Sequence, residues 1–295
     1  MKKILITGSG GFIGKALVKR LSGMEYAVTG FDLADGDIAE EGALTHLEKE
    51  DIFYVFHLAG KTFVPESWSN PFLFYRTNVL GTANVLEFCR KTGAGLTYVS
   101  SYLYGKPEYL PVDEKHPVKA YNPYSHSKLV AEELCRYYRE QFPLGISILR
   151  PFNVYGPGQS GQFLVPELIR KVLDPQIAVV EVMDLKPKRD FIFIDDLVEA
   201  LFLSMDGPRG IYNAGSGSSV SVEEIVREIR AITNSDKPVR DKGSERPNEI
   251  FDLYADISRI SRELNWKPQT GLREGLAECI RKNDDLNDPG DGKNR

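Results

Sequence analysis

Tyr124-Ser125-His126-Ser127-Lys128 places a phenol and an ammonium at i and i+4, one turn apart on one face of a helix. A free tyrosine ionises near pH ~10, so a phenol acting as a base near neutrality needs its anion stabilised by roughly two to three units, about 3 to 4 kcal/mol. A lysine one turn along carries charge of the required sign. The pair by itself is common on helices as a surface contact. Its setting narrows the reading: Tyr121-Asn122-Pro123 starts the helix, and Ser100-Ser101 ends an apolar run upstream.

Thr7-Gly8-Ser9-Gly10-Gly11-Phe12-Ile13-Gly14 follows the first apolar run and opens a helical pattern, the context a phosphate-binding glycine loop requires. Gly8 permits the tight turn, Gly11 lets the backbone approach a pyrophosphate, and Gly14 lets helix pack on strand. The spacing is Gly-x-x-Gly-x-x-Gly with Gly10 added, rather than the Gly-x-Gly-x-x-Gly of dinucleotide dehydrogenases. The helix start at Phe12 and Ile13 turns free N–H groups and a positive dipole end toward a diphosphate. Asp32 ends the second strand 18 residues beyond Gly14. A carboxylate there accepts hydrogen bonds from both adenosine ribose hydroxyls and repels a 2′-phosphate, so NAD is expected in preference to NADP. Asp37-Ile38 follows too closely for a full third strand and is placed at the adenine.

Such groups need a scaffold that brings strand ends and helix starts to one cleft. Apolar runs at 4–7, 27–31, 52–58, 96–101 and 146–149 read as strands, and 12–21, 72–89 and 124–142 as helices. The alternation is that of βαβ units with right-handed crossovers, giving an α/β fold with a Rossmann-like doubly wound parallel sheet. Pro, Gly and Gln collect over 151–162 and the later elements shorten, marking a smaller α/β substrate-binding lobe. The expected division is an NAD-binding domain over 1–150 and the lobe over 151–188 and 216–280. Residues 189–215, strand then helix, are expected to return to the sheet. The polar residues 281–295 are expected to be disordered.

A chain of 295 residues suits one large α/β domain with an appendage. Its 37 basic and 42 acidic residues leave a formal charge of -5, which gives no reason to expect nucleic acid or membrane as a partner. No apolar run nears the roughly 18 residues that span a bilayer, and Gly8 interrupts the brief signal-like opening, so a cytoplasmic location is expected. Cys89, Cys135 and Cys279 lie far apart, and His46, His57, His116 and His126 form no ligand pair. Buried reduced thiols and no metal site are expected.

Further motifs occur in fixed order: His57-Leu58-Ala59-Gly60, Asn78-Val79-Leu80-Gly81-Thr82, Ser100-Ser101-Tyr102-Leu103-Tyr104-Gly105, Arg150-Pro151-Phe152-Asn153-Val154-Tyr155-Gly156-Pro157, Arg189-Asp190-Phe191 and Arg246-Pro247-Asn248-Glu249. With the glycine loop and Tyr124/Lys128, they make the chain resemble, over residues 3–280, an extended short-chain dehydrogenase/reductase of the NAD-dependent epimerase/dehydratase family. The resemblance implies that Leu58, Ala59 and Gly60 line the cofactor, that Asn78 positions the chain beside it, and that Pro151 and Phe152 lie by the nicotinamide. Asn153 would bind the substrate, Arg189 and Arg246 would grip its diphosphate as planar forks, and Glu249 would hold its ribose. One serine would share the sugar hydroxyl with Tyr124. Counting from the strand gives Ser101 and counting back from Tyr104 gives Ser100, because this segment is one residue shorter than the family's; Ser101 is favoured. A homodimer through the helices holding Asn78 and Lys128 is expected on the same basis.

The implied substrate is a nucleotide-diphosphate sugar. Tyr124 would take a proton from a sugar hydroxyl while the C4 hydride moves to NAD, giving a 4-keto sugar. C4 epimerisation is the leading expectation. A 4-keto-sugar reductase is the nearest alternative, resembled in residues 156–160 and 184–191, although such reductases often use NADPH and Asp32 suits NAD. A 4,6-dehydratase would carry an Asp-Glu pair after the catalytic hydroxyl, where Tyr102 and Leu103 stand. Intact Tyr124 and Lys128 argue against a non-catalytic NAD-binding module.

Overall fold

A computed structural model describes residues 1–243 and 250–287. The chain opens with β1 (Lys2–Thr7), α1 (Phe12–Leu21), β2 (Tyr26–Phe31) and β3 (Ile52–His57). Short helices α2 (Val64–Ser69) and α3 (Pro71–Tyr75) lead through a π-helical turn (Arg76–Leu80) into α4 (Gly81–Thr92). Then come β4 (Gly95–Val99), α5 (Pro123–Gln141), β5 (Ile146–Pro151) and β6 (Asn153–Tyr155). The remainder is shorter: α6 (Leu164–Leu173), β7 (Val180–Val182), β8 (Lys188–Arg189), β9 (Phe191–Phe193), α7 (Ile194–Ser204), β10 (Ile211–Ala214), β11 (Val220–Ser221), α8 (Val222–Thr233), β12 (Val239–Asp241), α9 (Ser258–Leu264) and α10 (Leu272–Asn287).

Six parallel strands form the main sheet in the order β10-β5-β4-β3-β1-β2. The chain leaves β1 one way for β2 and the other way for β3, so the crevice beyond the carboxyl ends of β1 and β3 is the topological switch point where such sheets bind ligands. Side chains alternate across the pleat. Ile4 and Ile6 join one core layer with Leu17, Leu21 and Leu201. Leu5 joins the other with Val85, Leu86, Ala131 and Cys135. A third, smaller cluster of Tyr104, Val112, Phe152, Ile250, Leu253 and Ala255 lies beyond the sheet.

Several elements depart from the sequence expectation. The stretch expected as one helix over 72–89 is interrupted by the π turn, which carries the buried Asn78. The strand near Arg189 does not enter the main sheet: β9 pairs with β6, and it is β10 that pairs with β5. α10 runs on to Asn287, with Arg281 and Lys282 paired to Glu278 one turn back, and residues 288–295 of the stretch expected to be disordered lie outside the described residues. Among the described residues no helix is long and apolar enough to cross a membrane, and no group of three His, Cys, Asp or Glu is placed to hold a metal. All three cysteines are buried thiols.

Candidate active site

The glycine loop lies at the switch point, closed tightly on its neighbours. Gly8 has φ +74°, and a Cβ there would stand 2.8 Å from the Ala59 nitrogen; on Gly14 it would meet the Gly8 oxygen at 2.1 Å. Neither position admits a side chain, so β1, the end of β3 and α1 converge on one backbone cradle. No side chain caps α1 at Gly11, which leaves its first N–H groups for a ligand. Asp32 stands at the rim, its Oδ2 accepting the Ser9 hydroxyl and the Gly10 N–H, the latter at 2.9 Å. A side chain on Gly10 would touch that carboxylate at 3.4 Å. A cradle of backbone donors with a carboxylate beside it fits a dinucleotide diphosphate and its ribose.

Asp37 and Ile38 are placed differently from one another. The Asp37 carboxylate accepts the Ala39 N–H at 2.9 Å and pairs with Arg76 at 2.5 Å. The Ala39 hydrogen bond and then Arg76 hold it below the usual carboxylate range against some desolvation. Ile38 is buried against α4, where a side chain on Gly81 would collide with its Cγ2 at 2.9 Å.

Tyr124 and Lys128 lie in the first two turns of α5. That helix is set by Pro123 in its first turn and a reciprocal cap, with Asn122 Oδ1 accepting the Ser125 N–H at 2.7 Å and Ser125 Oγ accepting the Asn122 N–H at 3.3 Å. Lys128 is buried; its Nζ donates to the Val99 oxygen at 2.8 Å and sits 5.0 Å above the Tyr98 ring. Burial brings its ammonium down to about 8. Burial also pushes the Tyr124 phenol up, and the neighbouring Ser101 hydroxyl opposes that shift. Ser100 faces elsewhere, donating to Glu132 Oε2 at 2.9 Å. Ser100 is thus taken up by Glu132, while Ser101 lies near enough to the phenol to oppose its shift.

Three distant motifs meet behind this pair. A Cβ on Gly60 would lie 2.9 Å from Asn78 Oδ1 and 3.5 Å from Lys128 Nζ. Asn78 holds the loop after Leu58 and Ala59 by accepting the Lys61 N–H at 2.8 Å and donating to the Lys61 oxygen at 3.1 Å. The residues expected to line a cofactor are thus adjacent to the residues expected to do chemistry.

On the other side, Pro151 ends β5 and Phe152 stacks on Tyr102, with centroids 5.2 Å apart and planes at 18°. The Tyr102 hydroxyl donates to Asn153 Oδ1 at 3.0 Å, and Asn153 Nδ2 donates to the Asp190 oxygen at 2.8 Å. Arg189 donates to the Lys188 oxygen at 2.7 Å, and its charge opposes the upward shift that burial imposes on Tyr102, to about 12. Arg246 and Glu249 lie outside the described residues.

A polar network escaped the sequence reading. Glu132 and Arg150 are both buried and doubly bonded, Nε to Oε2 at 3.1 Å and Nη2 to Oε1 at 2.5 Å. Arg150 Nη1 also donates to the Tyr104 hydroxyl at 3.0 Å, and that hydroxyl donates to Asn213. The available signal was Glu132 itself, one turn beyond Lys128 on the face of α5 that carries Tyr124.

A doubly wound sheet with a glycine cradle at its switch point and a Tyr/Lys pair beside it defines a dinucleotide-dependent enzyme of the short-chain dehydrogenase/reductase type. Residues 4–215 match the model of the NAD-dependent epimerase/dehydratase family, and the chain belongs to that family. A putative UDP-glucose 4-epimerase of Methanocaldococcus jannaschii is 32% identical over 301 residues, covering 94% of this chain and 97% of its own. A GDP-6-deoxy-D-mannose reductase of Pseudomonas aeruginosa is 29% identical, with 95% and 96% covered. The UDP-glucose 4-epimerase of Thermotoga maritima, solved with UDP-glucose, superposes with a TM-score of 0.90 at 26% identity, covering 97% of this chain and all of that one, 100%.

Proposed function

We propose that the protein is an NAD-dependent nucleotide-diphosphate-sugar epimerase that inverts C4 through a 4-keto intermediate. The observation that carries the reading is the position of Lys128, one helical turn from Tyr124 on α5 and buried beside Gly60 next to the glycine cradle. When bound, NAD supplies the acceptor, and later the donor, of the C4 hydride. The chain's own groups do the rest. The cradle N–H groups bind the diphosphate, Asp32 the ribose hydroxyls, and Leu58, Ala59, Gly60, Asn78, Pro151 and Phe152 wall the remainder.

Tyr124 takes the proton from the C4 hydroxyl and returns it after the sugar has turned over, with Ser101 sharing the hydrogen bond. Lys128, anchored on the Val99 oxygen, stabilises the phenolate. Asn153, Arg189, Arg246 and Glu249 hold the substrate, the two guanidinium groups on its diphosphate. A homodimer packed through the helices carrying Asn78 and Lys128 accompanies this reading, supported by the exposed Trp68, Phe72, Leu80 and Tyr137. So does a cytoplasmic setting for a nucleotide-sugar enzyme.

A 4-keto-sugar reductase is the second reading, favoured by the similarity to the Pseudomonas reductase. Denaturing the purified protein and assaying the released cofactor separates the two. The epimerase reading expects stoichiometric NAD and interconversion of UDP-glucose and UDP-galactose without added cofactor. An empty protein that consumes NAD(P)H with a 4-keto sugar nucleotide would replace it by the second.

A further inference from the structure

The proton positions of one buried chain of side chains can be assigned by elimination. Thr7, His57, Thr82, Asn78 and Ser127 are all buried. The Thr82 hydroxyl has one proton and gives it to the Asn78 backbone oxygen, 2.6 Å away, an atom that can only accept. At its contact with His57 Nε2, 3.0 Å, Thr82 must therefore accept, so the ring carries its proton on Nε2. Burial, with the Lys128 charge adding to it, brings the imidazole down to about 3, so the ring is neutral and Nδ1 is bare. Nδ1 then accepts the Thr7 hydroxyl at 2.7 Å. Thr7 in turn accepts the Ala59 N–H at 3.3 Å. At the other end Asn78 Nδ2 donates to Ser127 Oγ at 2.9 Å, and Ser127 donates to the Tyr124 backbone oxygen at 2.7 Å.

The result is one fully satisfied chain of partners from the residue before Gly8 to the carbonyl of the residue bearing the phenol. Every link is fixed in direction, so no hydroxyl along it can rotate without stranding a buried partner. It passes through the π turn, whose irregular register brings Asn78 within reach of both Lys61 and Ser127.

We propose that His57 is a positioning residue, locked as the neutral Nε2–H tautomer, that holds Tyr124 in register with the floor of the dinucleotide cradle through Thr82, Asn78 and Ser127. The proposal rests on the reading of Tyr124 as the proton-transfer group. Its role is geometric: none of these side chains reaches substrate, and none exchanges a proton during turnover. Loss of a link lets the first turn of α5 shift against the cradle, which slows proton and hydride transfer and leaves substrate binding intact.

The test uses the NAD-loaded full chain. Thr82→Val, nearly isosteric, strands the His57 Nε2–H; Thr82→Ser restores the hydroxyl. Expected are a fall in kcat of about tenfold for Thr82→Val, equivalent to about 1.4 kcal/mol of transition-state stabilisation, an unchanged KM for the nucleotide sugar, and recovery with Thr82→Ser. Ser127→Ala at the far end provides a second entry should Thr82→Val fail to fold. On one shared chain the double variant is no slower than the slower single variant. A folded Thr82→Val or Ser127→Ala enzyme with wild-type kcat overturns the proposal, and so do two penalties that multiply. The Tyr124→Phe variant is run alongside. If it turns over like wild type, the reading of Tyr124 fails; a slow Tyr124→Phe beside unimpaired chain variants fails the positioning role alone.

Discussion

Replacing Lys128 with methionine is expected to leave the fold at least as stable while removing its chemistry, and the structure sets the size of the effect. Burial takes the ammonium from the usual 10.5 of a lysine to about 8. At roughly 1.4 kcal/mol per unit, the folded state carries a penalty of about 3 kcal/mol for holding that charge. The sign follows from proton binding. The folded value is the lower one, so between pH 8 and 10.5 the unfolded chain holds more protons and stability rises with pH. Below pH 8 the whole penalty applies.

Methionine keeps the length of the stem and has no charge to desolvate. Against that gain, the Val99 oxygen loses its donor at 2.8 Å, which costs about 1 to 3 kcal/mol. At pH 7 the variant should therefore lie between equal stability and a gain of about 2 kcal/mol. The sharper quantity is the pH dependence of the difference. Urea unfolding of both proteins at a series of pH values should show the variant's advantage shrinking by about 3 kcal/mol from pH 8 to 10.5, since other titrations cancel. Parallel stability curves across that window would refute the reasoning, because they would mean the ammonium is not held in a desolvated site.

Other outcomes follow from the same geometry. Ser101→Ala should lower kcat by about 10- to 100-fold, whereas Ser100→Ala should leave kcat nearer wild type and lower stability through Glu132, as steady-state kinetics and thermal melts would show. Glu132→Ala strands a buried guanidinium and should destabilise the protein by about 3 to 5 kcal/mol in urea unfolding. Asp32→Ala should weaken NAD and narrow its advantage over NADP, measured by titration calorimetry with both dinucleotides.

What the sequence revealed depended on how local each determinant was. The glycine loop was legible because Gly8 and Gly14 stand where no side chain fits, and α1 begins at Phe12 and ends at Leu21 as its periodicity indicates. The Tyr124/Lys128 face was legible because a helix fixes i and i+4 side by side. Partner choice across the chain was not. Nothing in the spacing says that Arg150, inside an apolar strand, turns to Glu132, or that β9 bonds to β6 outside the main sheet. The engagement of Ser100 by Glu132 was hidden for the same reason: both serines follow β4, and spacing alone does not say which of them meets a carboxylate.

The central claim is that Tyr124 serves a hydride transfer at C4 of a nucleotide sugar. The direct measurement follows deuterium placed at C4 of UDP-glucose through single turnovers of the NAD-loaded protein. The account predicts transient absorbance of reduced nicotinamide carrying the label, product inverted at C4 with its deuterium retained, and loss of both in Tyr124→Phe. Inverted product whose C4 deuterium has exchanged with solvent, formed without any reduced nicotinamide, would contradict it.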